Sequence, residues 1–126
     1  VSAHGENGQK LKQGKGRGIF AAWVGKRDIK FARSMNFGKS FSPAIRVNDD
    51  KGKASQSFFS MEVAPDGKIF VAWLDGRDKK TGKPGTSSIY IARSVDQGKS
   101  FQKNIKVFLK KSLEYKDIYG LKQLHL

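Results

Sequence analysis

The stretch ARSVDQGKSF at residues 92–101 repeats ARSMNFGKSF at residues 32–41, and seven of the ten positions are identical. A repeat of this kind predicts two copies of one structural unit before any local detail is considered. The question that decides the fold is therefore which segments accompany each copy, and the question that decides function is whether the repeated residues carry chemistry or form a turn.

The segments in front of each copy repeat as well. GIFAAWV at residues 18–24 matches KIFVAWL at 68–74 with an offset of 50, whereas IKFARS at 29–34 matches IYIARS at 89–94 with an offset of 60. The second copy thus has ten extra residues (60 minus 50) between its two segments, and variable length indicates a loop. Short runs of aromatic and β-branched residues are typical of buried strands.

Further strands complete each unit. SFFSMEV at residues 57–63 is followed by the Asp66-Gly67 hairpin signal, and alternating residues predict outer strands at 43–47 and 104–108. Four strands joined by tight turns within about 50 residues are the size and pattern of a β-propeller blade. We therefore predict an all-β fold with two four-stranded antiparallel blades.

The predicted organisation has four parts. Residues 1–18 form a degraded first strand or a disordered segment, since Gly8–Gly18 offers only Leu11 as a large apolar residue. Residues 19–50 form blade one, residues 51–108 form blade two, and residues 109–126 form a tail that fits neither blade. The tail could be a helix, the start of a third blade or an unnatural end. Because the chain begins at Val1 with no apolar leader, we expect a processed product or a fragment.

The repeated residues have the chemistry of a tight turn. Asp and Asn accept backbone N–H bonds within turns, Gly adopts positive φ without steric cost, and the hydroxyls can bond locally while Phe anchors the turn. We name the two copies turn one (residues 34–41) and turn two (residues 94–101). Their predicted structural residues are Ser34, Asn36, Gly38, Ser40 and Phe41 in turn one, and Ser94, Asp96, Gly98, Ser100 and Phe101 in turn two.

Turn two resembles the Asp-box, or BNR repeat, of the sialidase superfamily, and turn one differs by Asn36 in place of Asp. VAWLDGRD at 71–78 and FSPAIRVNDD at 41–50 add to a resemblance that spans Gly18 to Val107. The resemblance implies a β-propeller, commonly six-bladed, that is secreted or periplasmic and in many members releases terminal sialic acid. It also implies that the box is a structural turn on the face opposite the active site.

Two connections are predicted to open on the functional face, namely Asn48–Ser57 between the blades and Asp75–Ser88 within blade two. Their candidate substrate-binding residues are Asp49, Asp50, Asp75, Arg77 and Asp78. Arg27-Asp28 matches Arg77-Asp78 at the 50-residue offset, which favours a structural Arg–Asp pair over a substrate clamp. Asp49 lies in a predicted loop, so replacing it with Ala should change the stability of the fold little. A calcium site at Asp75 and Asp78 has too few oxygen ligands to be expected.

No catalytic residue is assigned. The resemblance implies an arginine triad, an acid/base Asp and a Tyr–Glu nucleophile, but the family's Phe-Arg-Ile-Pro segment is absent from this sequence. The first hypothesis is part of a sialidase-like glycosidase that is inactive alone. The alternatives are a non-catalytic propeller module that binds glycans or proteins, and an anion-binding module. No metal or cofactor is expected.

Charge bears on the choice of partner. The formal net charge is +14, yet the Lys residues are spread along the chain, without a nucleic-acid-binding signature. We therefore expect glycans, further blades or a second copy at exposed blade flanks as partners, and not nucleic acid. No apolar run approaches the length of about 20 residues that spans a membrane, and the chain has no Cys.

Overall fold

A computed structural model describes residues 9–51, 54–78 and 87–107 of the chain. These residues form two four-stranded antiparallel sheets, each with its strands in sequence order, and no helix lies among them. The predicted fold class is confirmed. Our predictions for the tail at 109–126 and for most of the 76–87 connection lie outside the described residues.

Sheet one contains the first four strands and sheet two the last four. The bounds are β1 Lys10–Gln13, β2 Ile19–Gly25, β3 Asp28–Ser34, β4 Ile45–Arg46, β5 Gln56–Val63, β6 Ile69–Asp75, β7 Ser88–Ser94 and β8 Ile105–Val107. The first strand, β1, lies in the segment that we expected to be weak. It has four residues, and its Leu11 is 64% exposed, since the strand has little apolar surface to bury.

The repeat shows in the register. In sheet one Ala22 pairs with Phe31 and Phe20 with Arg33, and in sheet two Ala72 pairs with Ile91 and Phe70 with Arg93. Side chains alternate between the two faces of a strand. Each sheet therefore has an even face, which carries the even residues of its second strand, and an odd face, which carries the odd residues.

The core lies between the even face of sheet one and the odd face of sheet two. One cluster of buried side chains joins Phe20, Ala22 and Phe31 to the opposing sheet. Across from them, Ile69 and Val71 are fully buried, and Trp73 is 1% exposed. At about 25 cal/mol per Å² of apolar surface removed from water, this face-to-face burial is the main term that holds the sheets together.

The hairpins of the two units differ at one end. In sheet one, Lys26 and Arg27 alone join β2 to β3, and both have positive φ (51° and 71°), as the mirror-image turns of two-residue hairpins require. In sheet two, the corresponding connection runs from Gly76 to Ser87. In sequence, the extra length therefore belongs to the connection that contains Arg77 and Asp78.

Candidate functional site

The two repeated turns share three hydrogen bonds. In turn one, Ser34 Oγ donates to Asn36 Oδ1 (2.7 Å) and accepts from Gly38 N (2.8 Å), while Ser40 N donates to Asn36 Oδ1 (3.0 Å). In turn two, the matching distances among Ser94, Asp96, Gly98 and Ser100 are 2.8, 2.9 and 3.0 Å. Gly38 and Gly98 have φ of 84° and 85°, a backbone conformation that is unfavourable for residues with a Cβ.

One bond changes direction between the copies. Asn36 Nδ2 donates to Ser40 Oγ at 2.8 Å, whereas Ser100 Oγ donates to Asp96 Oδ2 at 2.6 Å. The geometry survives because a hydroxyl can act as donor or acceptor. Burial opposes the charged form of Asp96, but hydrogen bonds from Ser100 and Ser94 outweigh it and lower the pKa to about 2. The Asn36 and Asp96 side chains, with the hydroxyls around them, form these bonds within their own turns.

Away from these turns, the five predicted substrate-binding residues meet in one network around Arg77. Its Nη1 donates to Asp49 Oδ1 (2.7 Å), and its Nη2 donates to Asp75 Oδ2 (2.8 Å) and to Asn104 Oδ1 (2.9 Å). We call these four residues the Arg77 centre. Burial alone would lower the pKa of Arg77, but the bonds and charges of Asp75 and Asp49 raise it instead.

Asp75 is the buried anchor of this centre. Its side chain is 0% exposed, and its carboxylate accepts from Trp73 Nε1 (2.9 Å), Gln56 Nε2 (3.1 Å) and the Arg77 backbone N (2.8 Å) as well as from the guanidinium. A buried carboxylate is tolerated when it is paired and hydrogen-bonded on this scale. Asp75 therefore holds Arg77 from the buried side of the site and is not itself exposed.

Asp49 joins the two sheets on the opposite side of Arg77. Its backbone N donates to Asn104 Oδ1 (2.8 Å), and its Oδ2 accepts from Asn104 N (2.9 Å). Partial burial opposes ionisation, but the bonds from Asn104 and Arg77 prevail, so the pKa of Asp49 is lowered. Asn104 Nδ2 also donates to the carbonyl of Val47, a core residue just after β4.

Asp50 and Asp78 lie at the edges of the network. Gln56 Nε2 donates to Asp50 Oδ2 (3.0 Å) as well as to Asp75. Asp78 Oδ2 accepts from the Tyr90 hydroxyl (2.7 Å) and forms an ion pair with Lys106 (3.1 Å); the Tyr90 bond is the main reason why the pKa of Asp78 is lowered. Burial, helped by Asp78, raises the pKa of Tyr90 to about 12.

The Arg77 guanidinium also stacks on Tyr90. The centre of the guanidinium lies 4.0 Å from the ring centroid, a cation–π contact that further restricts the side chain. Among the described residues, the polar atoms that lack a partner in this region are Arg77 Nε and Gln56 Oε1. Nη1 and Nη2 of Arg77, in contrast, both bind protein groups.

The first unit has no counterpart of this centre, although its sequence repeats the Arg-Asp dipeptide. Gly25 stands where Asp75 stands in the second unit, and Arg27 lies in the two-residue turn. In the second unit, Arg77 binds Asp49, Asp75 and Asn104, while the adjacent Asp78 binds Tyr90 and Lys106. Asp28 does keep one feature of Asp78, because it pairs with Arg46 (4.0 Å) at the register position of Lys106. The recurrence of Arg-Asp therefore places the Asp residues in partly similar surroundings and the Arg residues in different ones.

The sequence indicated the five charged residues but missed the uncharged ones. Gln56, Tyr90 and Asn104 supply hydrogen bonds to the network, and none belongs to a motif that marks it. Trp73, in the apolar run 68–74 that is typical of a buried strand, lies in the core, and its indole N–H donates to Asp75. An aromatic N–H that is buried needs such a partner.

Two further observations bear on the chemistry of the site. Within the described ranges, no group of three or more His, Cys, Asp or Glu side chains is arranged to hold a metal ion. No helix in the same ranges is long and apolar enough to cross a membrane. The Arg77 centre thus consists of one guanidinium, two carboxylates and one side-chain amide that bind one another.

The fold of two packed four-stranded antiparallel sheets, with equivalent turns in each, is similar to that of a solved sialidase. The solved structure of Hadza microbial sialidase Hz136 is similar over 78% of this chain, with a TM-score of 0.62 and 20% sequence identity. The chain spans 25% of the length of that protein. No protein-family model matches the sequence, and no curated protein matches it.

Proposed function

We propose that the chain forms two consecutive blades of a sialidase-like β-propeller, at residues 19–50 and 51–108, and that it does not hydrolyse sialosides by itself. In this proposal turns one and two are Asp-boxes that stabilise the fold. In sheet one, β1 (Lys10–Gln13) is the first strand of the first blade. Support comes from the likeness to a sialidase over 78% of the chain and from the chemistry of the Arg77 centre.

The observation that carries the proposal is that both terminal nitrogens of Arg77 are already bound to protein groups. Both terminal nitrogens of the guanidinium bind Asp49, Asp75 and Asn104, and the stacked Tyr90 covers one face of it. A guanidinium binds a substrate carboxylate through two free parallel N–H groups. In Arg77 three of the five N–H groups already bind protein atoms, and the unpartnered Nε is buried. No exposed pair of this kind is left, and in this proposal Arg77 supports the loops of this edge.

Two carboxylates remain as residues that could meet a ligand. The side chains of Asp49 and Asp78 are 43% and 38% exposed, in contrast to the buried Asp75. We propose that a glycan bound at this edge contacts these two first, through hydroxyl groups that donate to the carboxylates. Asp50 and Asp75 instead stabilise the network, and both accept hydrogen bonds from Gln56.

Release of a fluorogenic aglycone from a sialoside tests the proposal. We expect no turnover by the purified chain above that of a heat-inactivated sample. Turnover that the active sample shows and the heated one lacks would contradict it. The variant Asp78→Asn provides a control for any trace rate, because loss of an intrinsic activity should follow this exposed carboxylate and activity of a contaminant should not.

A non-catalytic role in glycan binding is the second candidate, and one observation favours it. A groove of about 350 Å³ lies between the two turns, lined in part by Lys15, Lys68, Asp66 and Gln97. Lys68 Nζ pairs with Asp66 Oδ2 at 2.8 Å, so Lys15 is the cation on which this candidate depends. Cationic and amide groups around a groove suit an anionic sugar. Calorimetric titration with an anionic oligosaccharide tests this role. Binding that Lys15→Ala weakens supports it, and heat no greater than the heat of dilution contradicts it.

A further inference from the structure

The contact between the two sheets within this chain has two different halves. The even face of sheet one supplies Phe20, Ala22 and Phe31, and the odd face of sheet two supplies Ile69, Val71 and Trp73. Because the halves are not identical, the contact is heterologous, and each sheet has a second face that takes no part in it.

Turn two is part of this contact. A Cβ on Gly98 would lie 2.6 Å from the Phe31 ring, and the Phe31 and Phe101 rings meet edge to face at 4.9 Å. Arg33 Nη1 donates to the Gln97 carbonyl at 3.2 Å. Turn two is thus closely fitted to the even face of sheet one.

The same two halves recur on the outer flanks. The even face of sheet two carries Phe70, Ala72, Ile91 and Arg93, which match Phe20, Ala22, Phe31 and Arg33 in register. Ile91 is partly exposed and Arg93 is exposed, whereas Phe31 is fully buried. Ala72 and Ile89, on the same face, are buried. We call this surface the Ile91 flank.

The odd face of sheet one, with turn one, carries the other half. Its Ile19 and Trp23 are partly exposed, while their counterparts Ile69 and Trp73 are 0% and 1% exposed. Phe41 is 44% exposed and Gly38 is exposed, whereas Gly98 is buried. We call this surface the Phe41 flank.

We propose that a second copy of this chain docks its Ile91 flank on the Phe41 flank, head to tail, and repeats the contact between the two sheets. Ile91 would lie over Gly38 and against Phe41, as Phe31 lies over Gly98 and against Phe101. The Arg93 guanidinium would reach the Phe37 carbonyl, as Arg33 reaches that of Gln97. The inference rests on the sheet pairing in the proposed function but not on the absence of sialidase activity.

Charge sets the conditions for this contact. Each copy has a formal net charge of +14, so two copies repel at long range. The screening length is about 8 Å at physiological ionic strength, whereas apolar burial is not weakened by that salt. Association should therefore strengthen from low to physiological salt, opposite to the behaviour of a contact held by ion pairs.

Sedimentation velocity over a range of micromolar concentrations at physiological salt is the test. The parent chain should form species larger than the monomer, and Ile91→Lys or Phe41→Lys should each weaken association about tenfold or more. Met35→Lys is the control. Met35 is 41% exposed in turn one, and its counterpart Val95 stays 51% exposed where the contact is formed.

A mixture of the two variants gives the sharper result. The Ile91→Lys copy keeps an intact Phe41 flank and the Phe41→Lys copy keeps an intact Ile91 flank, so the mixture should form a dimer that neither variant forms alone. Matching thermal unfolding of the variants shows that they fold. A monomeric parent, as expected if residues 109–126 or further sheets cover these flanks, overturns the proposal. So does a mixture that stays monomeric, or an equal effect of Met35→Lys.

Discussion

Asp49 and Asn104, which are 55 residues apart in sequence, exchange two hydrogen bonds, N–H to side chain in each direction, at 2.8 and 2.9 Å. The pair ties the connection after β4 to the start of β8, and thus one sheet to the other. Asp49 also holds Arg77 at 2.7 Å. Asp49, which the sequence predicted to lie in a loop with little effect on stability, therefore lies at the junction of the two sheets.

The Asp49→Ala variant should lower the free energy of unfolding by about 1–2 kcal/mol, because it removes charge-assisted bonds that are partly screened by solvent. Urea unfolding measures the change. Asp66→Ala is the matched control, since Asp66 is 56% exposed and pairs with the nearby Lys68. A larger loss of stability in Asp66→Ala than in Asp49→Ala would contradict the assigned role.

The two turn glycines should respond differently to the same substitution. Gly38→Ala meets the cost of positive φ, about 1 kcal/mol, with the Ile19 side chain 3.3 Å from the new Cβ. Gly98→Ala has the same φ but places its Cβ 2.6 Å from the Phe31 ring, which should add about 1–3 kcal/mol. Thermal unfolding of both variants measures the difference, and equal melting temperatures would mean that turn two does not pack on sheet one.

Turn two should lose stability in acid, whereas turn one should not. The pKa of Asp96 is lowered to about 2 in the folded chain, against about 3.9 when unfolded. Its contribution is therefore present above about pH 4 and is lost as the pH falls through about 2. Asn36 occupies the equivalent position without a charge.

The Asp96→Asn variant isolates this contribution. It can keep the turn bonds as turn one does, so it should cost less than Asp96→Ala, which should lose about 1 kcal/mol or more as other caps do. The decline in stability between about pH 4 and 2 should be shallower in Asp96→Asn than in the parent. Urea unfolding at several pH values gives the dependence of stability on pH for both proteins. If the two dependences are identical, Asp96 does not cause the loss of stability in acid.

The repeat made the sheets and turns predictable, because both depend on local patterns. Apolar runs at 18–24 and 68–74 mark the central strands, and spacing alone puts Asn36 and Asp96 in equivalent turns. The partners of Arg77 could not be predicted in this way. Asp49 and Asn104 are brought to it by the packing of the sheets, and the decisive difference between the units, Gly25 against Asp75, changes a buried contact without changing the strand pattern.

The central claim is that Arg77 joins the sheets and does not bind substrate. Urea unfolding of the parent and of Arg77→Gln, each with and without a methyl sialoside, tests both parts in one experiment. The account predicts that Arg77→Gln loses about 2 kcal/mol or more, because the buried Asp75 is left without its cation, and that the sialoside does not change the difference between the two proteins. An Arg77→Gln variant as stable as the parent, whose only loss is stabilisation by the sialoside, would contradict it.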